Sequence, residues 1–558
     1  MNHWIRLFAL LLISVLIAGC GSAPPAATPT EAPAAPAPTA TDTPAAAAPT
    51  RTPEALASAP TSTPAAPTAD EPPPLRIVTS FQIDSLNPID DGFWMPEFGV
   101  GELMMQFRAD GQHYPWLLES IDQIDDTTWE LRLREGITFQ NGAPLTADVL
   151  AALINRQMEL SSSAQSNFAA GTSAEATGDL VVTLDTVEPN TGVIPALADE
   201  AVFPVYDVAT VEAAGENYDQ LIDAGIYTGP YSVVSLDDQE MVLERYENYW
   251  QGRPALPGVS VRFVTDPQAR ILAVQNDEAD IALYPPTAVK PVVDAQEGIY
   301  FNYGTPSTGG FRMVLNIQEP PFNDMAVRQA IIRAINYDEL ANDVMDGVFG
   351  VATGYYPPFF PFAVQNQATD VATAQQLLDE AGWTPGADGV RAKDGTPLEV
   401  VLLIYPQQPD LVPISEAIQA QLAELGFAVE IRSVDNINDA LTSADEPWDA
   451  GLVSAGSVTF GGAPEPVLRR YFATGGDRNY ADYSNPRIDA LTKELSQTFD
   501  PQRRQEILTE LQRMKIEEEP YQFFVNFHTG RVIVNERYRD YQPGFALYHV
   551  SYQTRPTE

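Results

Sequence analysis

The stretch Thr228-Gly229-Pro230-Tyr231-Ser232-Val233-Val234 predicts the first strand of a β-hairpin. Tyr231 and Val233 alternate with polar or small neighbours, which is the pattern of a strand with one buried face. Asp237-Asp238-Gln239 follows with residue types that favour a turn. Met241, Leu243 and Arg245 then resume the alternation. We therefore predict a hairpin here, and the rest of the chain can be placed relative to it.

The segment after the hairpin has a distinctive order of motifs. Tyr249-Trp250-Gln251-Gly252-Arg253-Pro254 comes first, and a helix opened by Asp266-Pro267 ends in Glu278-Ala279-Asp280-Ile281. Together with the hairpin, this order resembles the extracytoplasmic solute-binding proteins of ABC importers, family 5, which carry oligopeptides, dipeptides or nickel. The resemblance implies an α/β, two-lobed periplasmic-binding-protein-like fold of the large cluster C type. It also implies an extra subdomain in lobe one and a hinge between the lobes.

Two further stretches resemble the same family. The longer one begins at Pro115-Trp116-Leu117-Leu118 and ends at Leu145-Thr146-Ala147-Asp148-Val149, where Thr146 is the predicted N-cap of a helix. The second includes Pro320-Pro321-Phe322-Asn323-Asp324 and opens the predicted second lobe. The matching motifs thus extend over both predicted lobes.

The second lobe has the periodicity of α/β structure. One apolar helix face is predicted from Val327, Ala330, Ile331, Ala334 and Ile335. Arg328 and Arg333 lie off this face, so we expect both to be solvated. A strand over 398–405, a helix over 414–425 and a strand over 427–431 then predict a right-handed parallel crossover.

These patterns predict five segments. Residues 1–19 are a predicted signal peptide, and residues 20–74 are a lipidated cysteine followed by a disordered linker rich in Pro, Ala and Thr. The resemblance implies that residues 75–306 form lobe one with its extra subdomain and that residues 307–527 form lobe two. Residues 528–558 are expected to return to lobe one.

The amino terminus predicts export and lipid anchoring. Arg6 precedes the apolar run Leu7 to Ile17, and Leu16-Ile17-Ala18-Gly19-Cys20 matches the bacterial lipobox. Cys20 is the only cysteine of the chain, so an intramolecular disulfide is impossible and Cys20 is the expected lipidation site. We predict that the lipid is the only membrane attachment and that the protein lies at the extracytoplasmic face of the membrane, in the periplasm or at the cell surface.

The charge of the chain limits its partners. It has 31 Lys and Arg against 76 Asp and Glu, a formal net charge of -45. Such an acidic chain would be repelled by nucleic acid, so no nucleic-acid partner is expected. The resemblance implies a small solute, a peptide or a chelate, and an ABC permease as partners, and we expect a monomer.

Motifs for catalysis are missing from the sequence. It contains no H-E-x-x-H, G-x-S-x-G, Walker or G-x-G-x-x-G pattern. His113, His528 and His549 are dispersed, so the sequence predicts no metal site, no cofactor and no catalytic residue. Binding is therefore favoured over catalysis.

The family resemblance implies a ligand cleft between the lobes. Its expected apolar and aromatic wall is Trp94, Met95, Phe311, Tyr405 and Phe460, and its expected polar contacts are Gln407, Ser454 and Ser457. Peptide binders of the family hold the ligand's ammonium with an Asp in the loop that corresponds to 454–466, which here has none. Some also place an Arg where this chain has Ile-Tyr-Pro-Gln-Gln over 404–408. A charged solute would then need another counter-charge, such as Glu465 or Arg312.

The functional prediction is a substrate-binding lipoprotein of an ABC importer that captures peptides or a related small solute. A nickel- or metal-chelate-binding protein of the same family is the first alternative, since such proteins take the metal as a chelate and need few protein ligands. A ligand-sensing receptor is the second alternative. A surface hydrolase is the third, and it would need a nucleophile or metal site that the sequence does not display.

Overall fold

The computed structural model describes residues 71–443, 447–545 and 548–558. The predicted signal peptide, Cys20 and nearly all of the predicted linker lie outside these residues. Within them, no helix is both long enough and apolar enough to cross a membrane. All the elements described below belong to one compact unit.

The strands of the described residues are numbered in chain order. They are β1 Leu75–Thr79, β2 Met105–Phe107, β3 His113–Pro115, β4 Leu118–Gln123, β5 Thr128–Leu133, β6 Ser173–Gly178, β7 Val181–Asp185, β8 Tyr231–Leu236, β9 Glu240–Arg245, β10 Gly258–Phe263, β11 Ile281–Leu283, β12 Ile299–Pro306, β13 Gly309–Leu315, β14 Gly350–Val351, β15 Thr384–Pro385, β16 Arg391–Lys393, β17 Thr396–Pro397, β18 Glu399–Ile404, β19 Ala428–Ser433, β20 Ala450–Gly456, β21 Gln522–Phe524, β22 Asn526–Phe527 and β23 Thr529–Asn535.

The α-helices are numbered in the same way. They are α1 Ala147–Leu160, α2 Ser162–Asn167, α3 Val193–Leu197, α4 Val208–Ala214, α5 Pro267–Gln275, α6 Lys290–Asp294, α7 Met325–Ala334, α8 Tyr337–Glu339, α9 Val371–Glu380, α10 Leu411–Glu424, α11 Ile437–Thr442, α12 Pro464–Tyr471, α13 Pro486–Gln497 and α14 Pro501–Arg513. Two π-helical turns, Leu340–Val344 and Met514–Glu518, continue α8 and α14.

Lobe one is built on a seven-stranded sheet with the order β12-β23-β11-β1-β10-β9-β8. Strand β1 is parallel to both of its neighbours, with Ile77 opposite Val261 and Ile281. The predicted hairpin is β8 and β9, and Asp237 closes its turn by accepting hydrogen bonds from the amides of Gln239 and Glu240. Strand β23, near the carboxyl terminus, inserts between β12 and β11 and thereby returns the chain to lobe one.

Lobe two is built on a five-stranded sheet with the order β19-β18-β20-β13-β21. The predicted crossover is β18, α10 and β19, and its two strands are parallel. The chain passes between the two sheets from β12 to β13 and again from β21, through β22, to β23. The α/β, two-lobed fold is thus confirmed, and the predicted boundary between residues 306 and 307 falls between β12 and β13.

A separate four-stranded sheet, β4-β5-β7-β6, accompanies the sheet of lobe one. Trp129, Leu131 and Leu133 alternate inward on β5, as their spacing predicts, because each points to the buried face. Thr146 caps α1 by accepting the amide of Val149 at 3.3 Å. Residues 118–185 thus form a second sheet in addition to the seven-stranded sheet.

A buried carboxylate connects three segments of lobe one. Asp280 has no exposed surface and accepts hydrogen bonds from the amide and guanidinium of Arg76. Asn535 donates to it at 2.8 Å, and Arg537 forms an ion pair with it. Burial alone would raise the pKa of Asp280, but the hydrogen bonds from Arg76 and Asn535 and the charge of Arg537 together outweigh burial and lower it. The acidic end of the Glu-Ala-Asp-Ile motif is therefore structural.

The aromatic pair Tyr249 and Trp250 also has a structural role. The hydroxyl of Tyr249 and the indole of Trp250 both donate to Glu102, at 2.7 and 3.0 Å. Glu102 is fully buried, and burial raises its pKa to about 7 in spite of these hydrogen bonds. The two aromatic residues thus anchor the turn after the hairpin to the segment that precedes β2.

One expectation about helix α7 is wrong. Asp324 caps the helix and its predicted apolar face is buried, as the periodicity indicates. Arg328, however, is buried rather than solvated, because its guanidinium turns back to the carbonyl of Phe322 at 2.6 Å. Arg333 stays partly exposed and donates to the carbonyl of Gln329. A free carbonyl in the preceding turn allows one of the two arginines to be buried.

The last residues of the predicted linker contact lobe one. Glu71 forms ion pairs with Arg245 at 2.6 Å and with Arg253 at 3.2 Å. Arg245 also lies 3.0 Å from Glu247. Defined contacts therefore begin four residues before the predicted start of lobe one at residue 75.

Candidate functional site

The two lobes touch at Gly461, in the loop between β20 and α12. Its carbonyl lies 2.6 Å from Nε2 of His113, and its amide donates to Asp199 at 3.1 Å. A Cβ atom at residue 461 would overlap the carbonyl oxygen of Pro195. Glycine is thus needed for the close approach of the backbones of the two lobes at this point.

Several other contacts cross between the lobes. Thr191 donates its hydroxyl to Glu465 at 3.1 Å. The rings of Phe107 and Phe360 stack with centroids 6.1 Å apart. Burial lowers the pKa of His113, so its imidazole is neutral at physiological pH. The lobes are therefore joined by both polar and apolar contacts.

Two of the predicted ligand residues lie in lobe one. Trp94 is half-buried, and its ring lies 4.3 Å from that of Phe93 and 5.2 Å from that of Phe81. Phe81 is 45% exposed, which is unusual for so large an apolar side chain. Met95, in contrast, is fully buried. Trp94 and Phe81 thus present an aromatic surface, whereas Met95 belongs to the core beneath it.

Three predicted residues come together on the sheet of lobe two. Phe311 on β13 pairs with Ser454 on β20, and the hydroxyl of Tyr405 accepts the amide of Ser454 at 3.1 Å. Ser454 is exposed and Tyr405 is half-buried, and both lie near the carboxyl ends of the parallel strands β20 and β18. Phe311 is buried, where its ring packs edge-on against His528. Burial lowers the pKa of His528 to about 3, so this imidazole is uncharged.

The remaining predicted residues differ in exposure. Gln407 is exposed and donates to the carbonyl of Asp435. Ser457 is buried and donates to the carbonyl of Thr308 at 2.7 Å. Phe460 is 55% exposed and directly precedes Gly461. Phe460 therefore lies beside the contact between the lobes, whereas the hydroxyl of Ser457 already has an acceptor.

The two proposed counter-charges have partners inside the protein. Glu465 accepts from Arg504 at 2.5 Å. Arg312 has no exposed surface, donates to the carbonyl of Gly456 at 2.6 Å and lies 4.0 Å from the ring centroid of Tyr471. Both charges thus already have partners in lobe two, and Glu465 also accepts from Thr191 of lobe one.

A group of acidic side chains that the sequence reasoning missed lies in lobe one next to Gly461. We call Glu97, Asp199, Glu200, Tyr284 and His549 the acidic cluster. All three carboxylates are at least 95% buried. Tyr284 donates its hydroxyl to Oε1 of Glu97, and Nε2 of His549 lies 3.3 Å from the same oxygen. Asp199 accepts from the amides of Ala201 and Gly461.

One oxygen of Glu97 and the whole carboxyl group of Glu200 have no hydrogen-bond donor within the described residues. Oε2 of Glu97 is buried without a partner, and the carboxylate of Glu200 has no hydrogen bond within the described residues. Burial, reinforced by the negative charges of Glu97 and Asp199, raises the pKa of Glu200 well above its usual value. Burial, followed by the negative charges of Glu97 and Glu200, also raises the pKa of Tyr284.

Tyr284 has an unusual backbone conformation. Its φ is 54°, in the left-handed region that a bulky side chain rarely adopts. The guanidinium of Arg270 donates to its carbonyl at 3.1 Å and to that of Leu283 at 3.2 Å. Such conformations persist where the surroundings impose them, and they are concentrated at functional sites. Here the conformation accompanies the hydrogen bond of Tyr284 to Glu97.

The sequence does indicate that two members of the acidic cluster, Asp199 and Glu200, would be buried. Asp199-Glu200 is an acidic pair between Ala198 and the apolar residues Val202 and Phe203, so its carboxylates are bracketed by side chains that would be buried. Glu97, Tyr284 and His549 come from distant segments and share no motif. Within the described part of the chain, no group of three or more His, Cys, Asp or Glu has metal-binding geometry.

Comparison with known proteins identifies the family of this chain. The family model described as bacterial extracellular solute-binding proteins, family 5 Middle, matches residues 112–479. The nickel-binding protein NikA of Staphylococcus aureus is 24% identical over 464 residues, which cover 82% of this chain and 89% of that protein. The glutathione-binding protein GsiB of Escherichia coli is 26% identical over 429 residues, 73% of this chain and 79% of that protein.

A solved structure agrees with the fold. The crystal structure of NikA from Brucella suis in complex with Fe(III)-EDTA superposes with a TM-score of 0.74 at 22% sequence identity. The match covers 84% of this chain and 96% of that one. Since the family model matches more than half of the chain and both lobes are present, the chain belongs to the bacterial extracellular solute-binding proteins of family 5, which are non-enzymatic components of transport systems.

Proposed function

We propose that this protein captures a peptide or a related small solute outside the membrane and delivers it to an ABC permease. The contact at Gly461 carries the proposal, because two lobes that meet by a backbone approach can enclose a solute between them. The relative that binds glutathione supports a peptide-like solute. Residues 75–306 and 528–558 would form one lobe and residues 307–527 the other.

The side chains that would line the cleft follow from their exposure. Trp94, Tyr405 and Phe460 would cover the apolar parts of the solute, and Gln407 and Ser454 would bind its polar groups. Met95, Phe311 and Ser457 would support this surface from behind, since all three are buried. Replacing Ser454 with Trp would fill the edge of the sheet and should abolish solute binding without unfolding the lobe.

A metal-chelate solute is a second candidate. The relative named as nickel-binding supports it. Uptake assays in a strain that lacks the gene would distinguish the candidates: loss of peptide uptake supports the first, and loss of nickel uptake supports the second. Unchanged uptake of both solutes, with solute binding retained by the purified protein, would instead indicate a sensing receptor.

Lipid anchoring at Cys20 belongs to the same proposal. A Cys20→Ser variant should leave the membrane fraction, and metabolic labelling with a radioactive fatty acid should mark the unmodified protein only. Labelling of the variant, or its retention in the membrane, would contradict anchoring through Cys20.

A further inference from the structure

The acidic cluster holds more negative charge than its own side chains can balance. Glu97 and Asp199 both lie close enough to Glu200 for their negative charges to raise its pKa. Within the described residues, no Lys or Arg forms an ion pair with any of them. His549 is the base in contact, and a single imidazolium would balance one carboxylate of three.

The carboxyl group of Glu200 has no hydrogen-bond partner within the described residues. A neutral carboxylic acid still carries one O–H donor and one carbonyl acceptor, and burying either without a partner is unfavourable. Glu200 is 5% exposed and makes no hydrogen bond within the described residues. Oε2 of Glu97 is fully buried without a partner within the described residues, whereas the carboxyl oxygens of Glu200 keep some accessible surface. A buried carboxylate oxygen and a reachable carboxyl group without hydrogen bonds therefore belong to the same cluster of lobe one.

Aromatic rings extend from this place toward the surface. The ring of Tyr284 lies 5.8 Å from that of His549 and 5.3 Å from that of Phe81. Phe81 leads on to Trp94 at 5.2 Å. Faces of aromatic rings attract cations, and carboxylates pair with them. Carboxylates beside aromatic rings would therefore bind an organic cation more favourably than an anion or a neutral solute.

We propose that the solute carries an ammonium or guanidinium group, which Glu97 and Glu200 bind in lobe one beside the rings of Tyr284 and Phe81. This inference rests on the proposed function, because it assigns a chemical class to the solute of the same cleft. The position of Asp199 agrees with it. Since Asp199 accepts the amide of Gly461, the cation site borders the contact between the lobes, and the bound cation would be enclosed when they meet.

The test uses defined peptides and the full mature protein. Binding is measured by calorimetry for trialanine, N-acetyl-trialanine, Ala-Lys-Ala and Ala-norleucine-Ala, and for a nickel(II)–histidine chelate as a cation-independent probe. The variants are Glu97→Gln and Glu200→Gln. Glu102→Gln is the matched control, because Glu102 is an equally buried carboxylate of lobe one that Tyr249 and Trp250 already satisfy.

The expected result is a preference for the cationic member of at least one matched pair. Loss of a buried charge partner should weaken binding of that peptide by roughly thirtyfold or more in Glu97→Gln and Glu200→Gln, and the Glu102→Gln control should bind like the unmodified protein. If one of the two variants does not fold, the relative affinities of the unmodified protein for the matched peptides still show whether it prefers a cationic solute.

Two other results would overturn the inference. Equal affinity for the cationic and neutral members of both matched pairs, or binding of the chelate but of none of the peptides, would refute the cation site while the proposed function stands. Failure of every probe to bind, in a protein that also carries no solute when purified, would refute the proposed function and the cation site with it.

Discussion

The carboxylate of Asp410 lies 2.7 Å from the guanidinium of Arg531 and joins the two lobes by a buried ion pair. Asp410 directly precedes α10 in lobe two, whereas Arg531 is on β23 in lobe one. The amide and hydroxyl of Thr287, also in lobe one, donate to the other oxygen of Asp410. The lobes are thus tied together at this point as well as at Gly461.

Replacing Asp410 with Asn should destabilise the protein. The variant leaves Arg531 without its counter-charge at a site that is 12% exposed, and breaking a buried pair costs about 3 kcal/mol or more. Denaturant titration would measure the loss. Glu494→Gln is the control, since Glu494 and Arg503 are both more than 40% exposed and such pairs contribute about 0.5 kcal/mol. Equal stability of the two variants would contradict this account.

Gly461→Ala should force the lobes apart at the contact with Pro195 and Asp199. The added Cβ would overlap the carbonyl oxygen of Pro195, while the interior of each lobe is unaffected. We expect a normal melting transition, a larger radius of gyration by solution X-ray scattering and weaker solute binding. Gly178→Ala is the matched control, because the nearest atom to its Cβ is at 3.4 Å and lies in the same hairpin. A radius unchanged from that of the control would contradict the assignment of the contact.

Glu102 should make the protein less stable as the pH rises. The pKa of Glu102 is about 7 in the folded state against 4.5 ordinarily. Between pH 4.5 and pH 7, Glu102 is therefore protonated in the folded state and ionised in the unfolded state. Its contribution is therefore fully present below pH 4.5 and declines until the pH exceeds 7, by about 3 kcal/mol in total. Relative to Glu102→Gln, the unmodified protein should lose that much stability over this range.

Urea titrations at several pH values would measure the difference between the two proteins. Glu119→Gln removes the same charge from an exposed position and is the control. A difference between Glu102→Gln and the unmodified protein that does not vary with pH would show that Glu102 does not hold its proton on folding.

Lys515 should oppose folding at neutral pH. Its ammonium is buried on the π-helical turn against the rings of Tyr355 and Phe472, and no acceptor for it lies among the residues that the structure describes. Burial, followed by the charge of Arg312, lowers its pKa well below the usual value. Since the unfolded state keeps the proton more readily, the penalty grows as the pH falls below about 10.

Lys515→Met keeps the length of the side chain and removes the charge. Replacing a buried charge by an apolar group of similar volume stabilises other proteins by about 1–4 kcal/mol, and we expect an increase in that range. Thermal denaturation at pH 7 and pH 9 would test it, with a larger gain at the lower pH. A loss of stability would show that the contacts of the ammonium with the two rings outweigh its burial.

Local patterns predicted the framework of the fold well. The hairpin at Tyr231, the cap at Thr146 and the crossover after Leu398 all depend on neighbours close in the sequence, and the structure contains them. Arg328 could not be placed in this way. Its burial depends on one carbonyl, that of Phe322, whose direction is set by the turn before the helix.

The candidate site was predicted less completely for a related reason. Trp94 and Phe460 stand out as large aromatic residues in family-like positions, and the structure leaves both partly or largely exposed. The acidic cluster draws Glu97, Glu200 and His549 from three distant segments that only the tertiary fold brings together. Short-range periodicity contains no information about such a juxtaposition.

Native mass spectrometry of the purified protein tests the central claim most directly. The protein is first weighed intact and then denatured so that any bound solute is released and identified. We expect one small solute per protein, with an ammonium or guanidinium group. A protein that carries no solute, and that binds none of the peptides or the chelate when these are added, would contradict its assignment as a solute-binding protein.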